Sequence, residues 1–383
     1  MKTMHFRKLG KTGIKVSVLG FGCMRLPTLK PGEPTINREE AIRLIRKGID
    51  SGITYIDTAY PYHGKESEIV VGQALKDGYR EKVTLVTKCP VGMPDFTESA
   101  HYDKYLNEQL TKLDVDYLDF YLFHGINGKT LHEKVLELNL IERAKAAKAA
   151  GKIKHIGFSF HDTPEVLKEI IDTGHFELML VQYNIIDQIN EEMLAYAAEK
   201  GLGIAIMGPV GGGRLAGIPP ESMRQWVTED RNNFVDLALK FVLSNPNVSV
   251  ALSGMGSEEM LDDNLKLVSK ENYNLLTNAE KERIQNIANK FKELSDVVCT
   301  GCGYCMPCPN EVNIKEIFNF LIRYQIYGQK EDTKVMYAQI GKVRWLPGKD
   351  ATACIECEEC LEKCPQNIPI IEQLKEAHRI LGE

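Results

Sequence analysis

Through its first 298 residues this 383-residue chain has almost no cysteine, only Cys23 and Cys89. That scarcity argues against a disulfide-stapled secreted scaffold, and no signal-peptide pattern opens the sequence. Long apolar runs are missing too. The longest, such as 178–181 and 248–252, suit buried strands and fall far short of the ~20 residues a membrane span needs. Nor is there an excess of basic residues: 47 Lys and Arg stand against 53 Asp and Glu, a formal net charge of −6. No basic tract is present to meet nucleic acid or an anionic membrane. The chain is expected to be cytoplasmic, with neither nucleic acid nor membrane as partner, and it is too long for one small domain.

The missing cysteine is concentrated near the C-terminus. Eight of the ten fall in two runs, Cys299-x2-Cys302-x2-Cys305-x2-Cys308-Pro309 and Cys354-x2-Cys357-x2-Cys360-x3-Cys364-Pro365. Three thiolates at this spacing wrap one face of an iron–sulfur cube, and a fourth followed by proline turns away to the other cluster in two-cluster ferredoxins. The second run has that pattern residue for residue. The first has x2 rather than x3 before Cys308. A zinc ribbon needs four ligands in paired spacing, so two triplet-plus-one runs overshoot it. The expectation is two 4Fe-4S clusters, one on Cys299, Cys302, Cys305 and Cys364, the other on Cys354, Cys357, Cys360 and Cys308. One cluster beside a zinc ion, or one cluster alone, are the alternatives. Thiols that must stay reduced to bind iron again point to a cytosol, that of an organism with little tolerance for oxygen.

Upstream, short apolar runs at 18–22, 54–57, 83–88, 117–124, 153–159, 178–183, 203–207 and 248–252 alternate with amphipathic segments. Those segments are 38–50, 67–76, 103–113, 131–150, 164–173, 191–200 and 233–243, with 258–267 after the last run. Eight strands alternating with eight helices describe an α/β fold, a parallel (β/α)8 TIM barrel. An open doubly wound sheet is the rival, but no Gly-x-Gly-x-x-Gly turn follows the first strand. Residues 5–8 and 14–16 flank Gly10-Lys11-Thr12-Gly13 and read as an N-terminal hairpin closing the barrel floor. A further helix over 278–294 leads into Cys299. Helical patterning around 314–327, between the cysteine runs, points to a C-terminal, mostly helical ferredoxin-like domain. The division is expected near Ser295, with the barrel over 1–295 and the iron–sulfur domain over 296–383.

Catalytic groups of such barrels sit where strands end and loops begin. Those ends carry Asp57, Lys88, His124, Ser159 and Gln182, closing the second to the sixth strand. Each alone reads as readily as a satisfied polar core residue; five in register read as a site. Tyr62 follows close behind Asp57. A free phenol has a pKa of about 10. An adjacent ammonium lowers it, and a carboxylate keeps that ammonium charged and oriented. Lys88 and Asp57 suit those parts, and His124 can donate a hydrogen bond to a substrate carbonyl. The set suits hydride delivery to a carbonyl carbon while Tyr62 supplies the proton to oxygen.

With these residues in place, the chain resembles the aldo-keto reductase family over residues 5 to about 270. The resemblance rests on Gly20-Phe21-Gly22, the 57–62 segment, Gly64 to Gly72 with Ser67-Glu68, Thr87-Lys88 and Leu122-Phe123-His124-Gly125. Gly157-Phe158-Ser159, Val181-Gln182-Tyr183-Asn184 and Asp263-Asn264 complete it. It implies an NAD(P)H-dependent oxidoreductase that reduces an aldehyde or ketone, with Asp57, Tyr62, Lys88 and His124 as its tetrad. It also implies Ser159 and Gln182 at the nicotinamide carboxamide and ring, and Asp263 and Asn264 at the adenine. Gly22, Cys23, Met207 and Gly208 are implied beside the cofactor as well. The cysteine runs resemble those of a bacterial and archaeal branch that carries an added ferredoxin-like domain.

The chain departs from the family at several points. Phe160 follows the strand-five Ser where the family usually has Asn, which passes carboxamide recognition to His161. Met207 stands where a Tyr often stacks on the nicotinamide. The stretch 253–262 holds no Lys or Arg, where NADP-preferring members place cations on the 2′-phosphate. Arg214, after Gly211-Gly212-Gly213, is either their substitute or a solvated loop arginine. NADPH and NADH both stay open. The substrate is expected to be a small carbonyl compound, with Tyr60, Met93, Phe96 and Ile126 as candidates for its wall. Nicotinamide passes two electrons as hydride whereas each cluster exchanges one, and no flavin signature bridges them. The clusters therefore read as structural clips, as sensors, or as a port for a ferredoxin or flavoprotein partner. Two rival readings treat the barrel as a regulatory module, or the whole as an electron-transfer or redox-sensing protein that binds nicotinamide and docks such a partner.

Overall fold

A computed structural model describes residues 4–30, 35–227, 232–294, 299, 301–343 and 346–382. The chain divides into two compact units, Met1–Pro209 with Leu239–Leu276, and Val210–Ala238 with Thr277–Glu383. The division expected at Ser295 lies outside the described residues.

The first unit is built on the eight expected parallel strands, closed into a barrel. They are β3 (Leu19–Gly22), β4 (Tyr55–Asp57), β5 (Thr84–Cys89), β6 (Leu118–Ile126), β7 (Ile153–Phe160), β8 (Leu178–Gln182), β9 (Gly203–Met207) and β10 (Val250–Ser253), with β10 pairing back onto β3. Their runs are apolar on both faces because parallel strands are covered by helices outside and packed side chains inside. Tyr55, Val86, Phe120, Leu122, Leu178, Leu180, Ala205, Val250 and Leu252 fill the interior. The register sets Asp57 beside Gly22, Lys88 beside Leu122 and Gln182 beside Met207, so the polar strand ends come level.

The N-terminal hairpin forms as expected, β1 (Phe6–Lys8) antiparallel to β2 (Lys15–Ser17). Leu9 and Val16 join the barrel core and plug its floor. The turn fits tightly: Gly10 has φ 59°, and a Cβ there would stand 2.3 Å from the backbone nitrogen of Gly203. Only glycine meets both demands.

One expected helix is broken. In place of a continuous segment over 131–150, a wide π-type turn covers Leu131–Leu136 and a helix runs over Leu140–Ala149. Asn139 between them is left-handed at φ 54°, a conformation asparagine tolerates better than most residues. Both pieces bury their apolar residues, Leu131 and Val135 on one side, Leu140, Ala144 and Ala147 on the other. The apolar pattern therefore runs on through the break.

Helices Asn278–Leu294, Ile314–Gln325, Lys330–Ala338 and Ile370–Leu381 dominate the second unit. Asn313 caps Ile314–Gln325 by accepting from Glu316 N. Ile314, Ile317, Phe318 and Leu321 then share one buried face, as do Ile370, Ile371, Leu374, Ala377 and Leu381 on the last helix. Contacts between the ends of the two cysteine runs clasp them together. Asn310 donates to the carbonyl of Ala353, Lys349 N to the carbonyl of Glu311 at 2.8 Å, and Asn313 to that of Pro347 at 2.7 Å. No helix among the described residues is long and apolar enough to cross a membrane.

Candidate active site and cysteine cavities

The end of β4 presents Asp57 and the end of β5 presents Lys88, respectively 3% and 1% exposed. Lys88 Nζ donates to Asp57 Oδ1 at 2.6 Å and to the carbonyl of Thr58 at 2.7 Å. Its third proton points to Tyr62 Oη at 3.4 Å. Burial pushes the Asp57 carboxyl upward, and the adjoining ammonium pulls it back toward the ionised form. His124, at the end of β6, faces the Tyr62 ring edge-on with centroids 6.1 Å apart. Burial first, then the Lys88 charge, hold His124 well below its ordinary pKa, so it is a neutral hydrogen-bond donor at pH 7.

Tyr62 is aimed by strained backbone. His63, Gly64 and Lys65 follow it at φ 50°, 61° and 77°. Two non-glycine residues in that region mark a turn that its surroundings enforce. His63 Nε2 holds the turn by accepting from Leu26 N at 3.1 Å. At the start of the next helix, Ser67 Oγ lies 2.9 Å from Thr58 Oγ1 and donates to the carbonyl of Cys23 at 3.0 Å. Cys23 is fully buried beneath the pair, and burial raises its thiol far out of the reactive range.

The strand ends on the other side carry the residues expected at a nicotinamide. Ser159 Oγ accepts from Gly125 N at 2.7 Å and keeps its own proton to donate. Gln182 donates to Asp187. Asn184 donates to the carbonyl of Gly208 at 3.0 Å. Gly208 has φ 61°, and a Cβ there would stand 3.6 Å from Gln182 Oε1, so the space above that amide is kept clear. Asn264 is buried and donates to Ser253 Oγ at the end of β10, 3.0 Å away; Asp263 precedes it on the helix Glu258–Val268. Hydroxyl and amide groups around a glycine-cleared surface fit a flat, amide-bearing ring. Arg214 falls in the second unit. There its guanidinium lies over Phe291, centroid distance 5.5 Å, and its carbonyl accepts from Tyr327. Of the wall candidates, Tyr60, Phe96 and Ile126 are buried and Met93 half-buried; Tyr60 is spoken for by Glu108, to which it donates at 3.1 Å.

The eight C-terminal thiols gather around two cavities. One is lined by Cys299, Cys302, Cys305 and Cys364 with Phe318, Ile368 and Ile370. The other is lined by Cys308, Cys354, Cys357 and Cys360 with Val312, Ile371 and Leu374, and Cys305 reaches it too. As free thiols, Cys299 and Cys305 are pushed up to about 11 and about 12, by burial first and by their neighbours' charge. Four thiols around one apolar cavity cannot all ionise unless a cation holds them. The donor set therefore fits iron–sulfur clusters. The grouping is the crossed one, three thiols from one run with the last of the other.

The sequence profile of the aldo/keto reductase family matches residues 18–289. The chain belongs to the aldo/keto reductase family. A second profile, that of the 4Fe-4S dicluster domain, matches residues 298–368. Among curated relatives, the uncharacterized oxidoreductase YqkF of Bacillus subtilis (strain 168) is 28% identical over 312 residues, 74% of this chain and 96% of the relative. L-galactose dehydrogenase of Arabidopsis thaliana is 27% identical over 70% of this chain and 90% of its own length. Among solved structures, the holo form of aldo-keto reductase AKR11C1 from Bacillus halodurans superposes with a TM-score of 0.63 at 29% identity. It covers 75% of this chain and 97% of its own. The protein is thus an oxidoreductase of the aldo/keto reductase type, fused to a 4Fe-4S domain.

Sequence reasoning missed one part of this aldo/keto reductase site, a buried polar network behind Lys88. Gln109 donates to the carbonyl of Lys88 at 3.0 Å and to Glu68, accepts from Tyr121 at 2.7 Å, and Thr87 donates to Glu68 at 2.7 Å. A signal was present. Gln109 takes an inward place in the stripe Tyr102, Tyr105, Leu106, Gln109, Leu113, and a polar residue there requires partners.

His161, at the end of β7, is tied by its N–H to the carbonyl of Ile126 at 3.2 Å, and burial lowers its side chain to about 4. An unfolded histidine titrates near pH 6.5. Above about pH 6.5 neither state binds the proton; between about 6.5 and about 4 only the unfolded chain does, so the barrel loses stability as pH falls. His161→Gln should therefore lose less thermal stability between pH 7 and pH 5 than the parent. Equal losses in Tm would remove His161 from this account.

Proposed function

We propose that this aldo/keto reductase uses NADPH or NADH to reduce a small aldehyde or ketone, with Tyr62 as proton donor. We propose further that its eight C-terminal cysteines hold two 4Fe-4S clusters, and that the chain divides into a reductase over 1–295 and an iron–sulfur domain over 296–383. The reach of the two family profiles supports that division. The observation that carries the catalytic reading is the buried Asp57–Lys88 pair whose ammonium reaches Tyr62 Oη.

The bound nicotinamide supplies a hydride. The chain's residues do the rest. Ser159, His161 and Gln182 hold the carboxamide side, with Gly22, Cys23, Met207 and Gly208 beside them, and Asp263 and Asn264 take the adenine end. His124, neutral, donates to the substrate carbonyl and sets its oxygen toward Tyr62. Tyr62 Oη passes its proton to that oxygen as negative charge builds there. Lys88, held charged by Asp57, stabilises the phenolate left behind.

A second reading has the iron–sulfur domain exchange electrons with a ferredoxin or flavoprotein. It is favoured by the exposure of Cys357 and Ile355 on the wall of one cavity. Anaerobic protein assayed against a panel of aldehydes and ketones distinguishes the two. Oxidation of NADPH or NADH that depends on the carbonyl compound is expected. Cluster reduction by nicotinamide alone, with no carbonyl reduced, would replace the first reading by the second.

A further inference from the structure

The two cysteine cavities differ in charge. Lys315, in the first turn of Ile314–Gln325, lines the cavity of Cys299, Cys302, Cys305 and Cys364. Its side chain lies along the first cysteine run, where a Cβ on Gly301 or Gly303 would come within 4.0 and 3.9 Å of it. Both glycines have positive φ, 66° and 80°. Among the described residues Lys315 has no ion-pair partner. Gly301 N–H adds a donor to Cys299 Sγ at 3.4 Å.

The other cavity has Lys363 and Glu358 on its wall. Lys363 is paired with Glu359 at 3.3 Å, and Glu356 with Lys375 at 2.8 Å. Glu358 and Glu362 stand exposed on the same run. That wall carries one charge of each sign, with Lys363 already engaged by Glu359; the Lys315 wall carries a cation alone.

We propose that Lys315 makes the two clusters unequal, raising the potential of the one on Cys299, Cys302, Cys305 and Cys364 so that it takes the first electron. This rests on the two-cluster reading above. Reduction adds one negative charge to a cluster, supplied by an external one-electron donor (dithionite, or a low-potential carrier protein), and makes or breaks no bond. An unpaired ammonium on the cavity wall, and an N–H donated to a ligand sulfur, stabilise that added charge and raise the potential. A carboxylate beside the other cluster lowers its potential. Solvent at Cys357 works in the opposite sense, so Lys315 itself is the residue to test.

Full-length anaerobic protein is first analysed for iron and sulfide. About eight of each are expected from two cubes, and four would remove the two-cluster reading rather than this inference. Redox titration followed by electron paramagnetic resonance should then resolve two midpoints. Lys315→Gln should shift the higher one downward and leave the lower in place, Lys315→Arg should restore it, and Glu358→Gln should move only the lower. Cys357→Ser assigns the signals, whether it alters or empties its site. Eight irons with a single midpoint, or a Lys315→Gln shift absent from both clusters or equal in both, overturns the inference.

Discussion

Tyr62→Phe is expected to lower carbonyl reduction by about 10²-fold or more while leaving nicotinamide binding nearly unchanged. The substitution removes one oxygen and little else. The ring keeps its place edge-on to His124, with Lys88 Nζ 4.9 Å from its centroid. Lys88 keeps Asp57 and the Thr58 carbonyl as partners, so the buried pair stays satisfied. Lys88→Met is the less clean test. It strands a carboxylate that is 3% exposed, and removing one partner of a buried pair costs about 3–5 kcal/mol in stability. Lost activity would then mix chemistry with folding. For Tyr62→Phe, kcat should fall while cofactor affinity, measured by direct titration, holds. Full turnover in the variant would take the proton-donor role away from Tyr62.

How far the sequence reached depended on how local each feature is. Asp57, Lys88 and His124 were legible because each closes an apolar strand, and closure of the barrel brings strand ends level. The grouping of the cysteines about two cavities was legible because x2 spacing keeps three thiols of one run together and the proline after the fourth turns it away. The break at Asn139 was not, since apolar residues continue in step on both sides of it. Gln109 was hidden for another reason: its partners Glu68, Thr87 and Tyr121 come from three separate segments. Arg214 shows the largest gap. Its neighbours Phe291 and Tyr327 lie far along the chain, and no local pattern ties a loop after β9 to a helix beyond the barrel.

That distant pairing bears on the second large effect, expected when iron is removed. Anaerobic chelation should strip amide-exchange protection from 301–343 and 346–382 while the barrel strands keep theirs. The reason is the pair of cavities. Without iron, either they collapse and take the cysteine loops with them, or they stay open and wet Val312, Phe318, Ile371 and Leu374 among eight thiols. Metal binding in so small a helical segment is in large part folding free energy. Protection should also fall across 210–227, within the segment that shares the second unit, because Tyr327 would release the Arg214 carbonyl and leave Gly217 uncovered. Exchange measured on iron-loaded and iron-free protein checks both statements. Intact protection of Ile314–Gln325 and Ile370–Leu381 without iron would mean that their shared apolar faces alone sustain the unit.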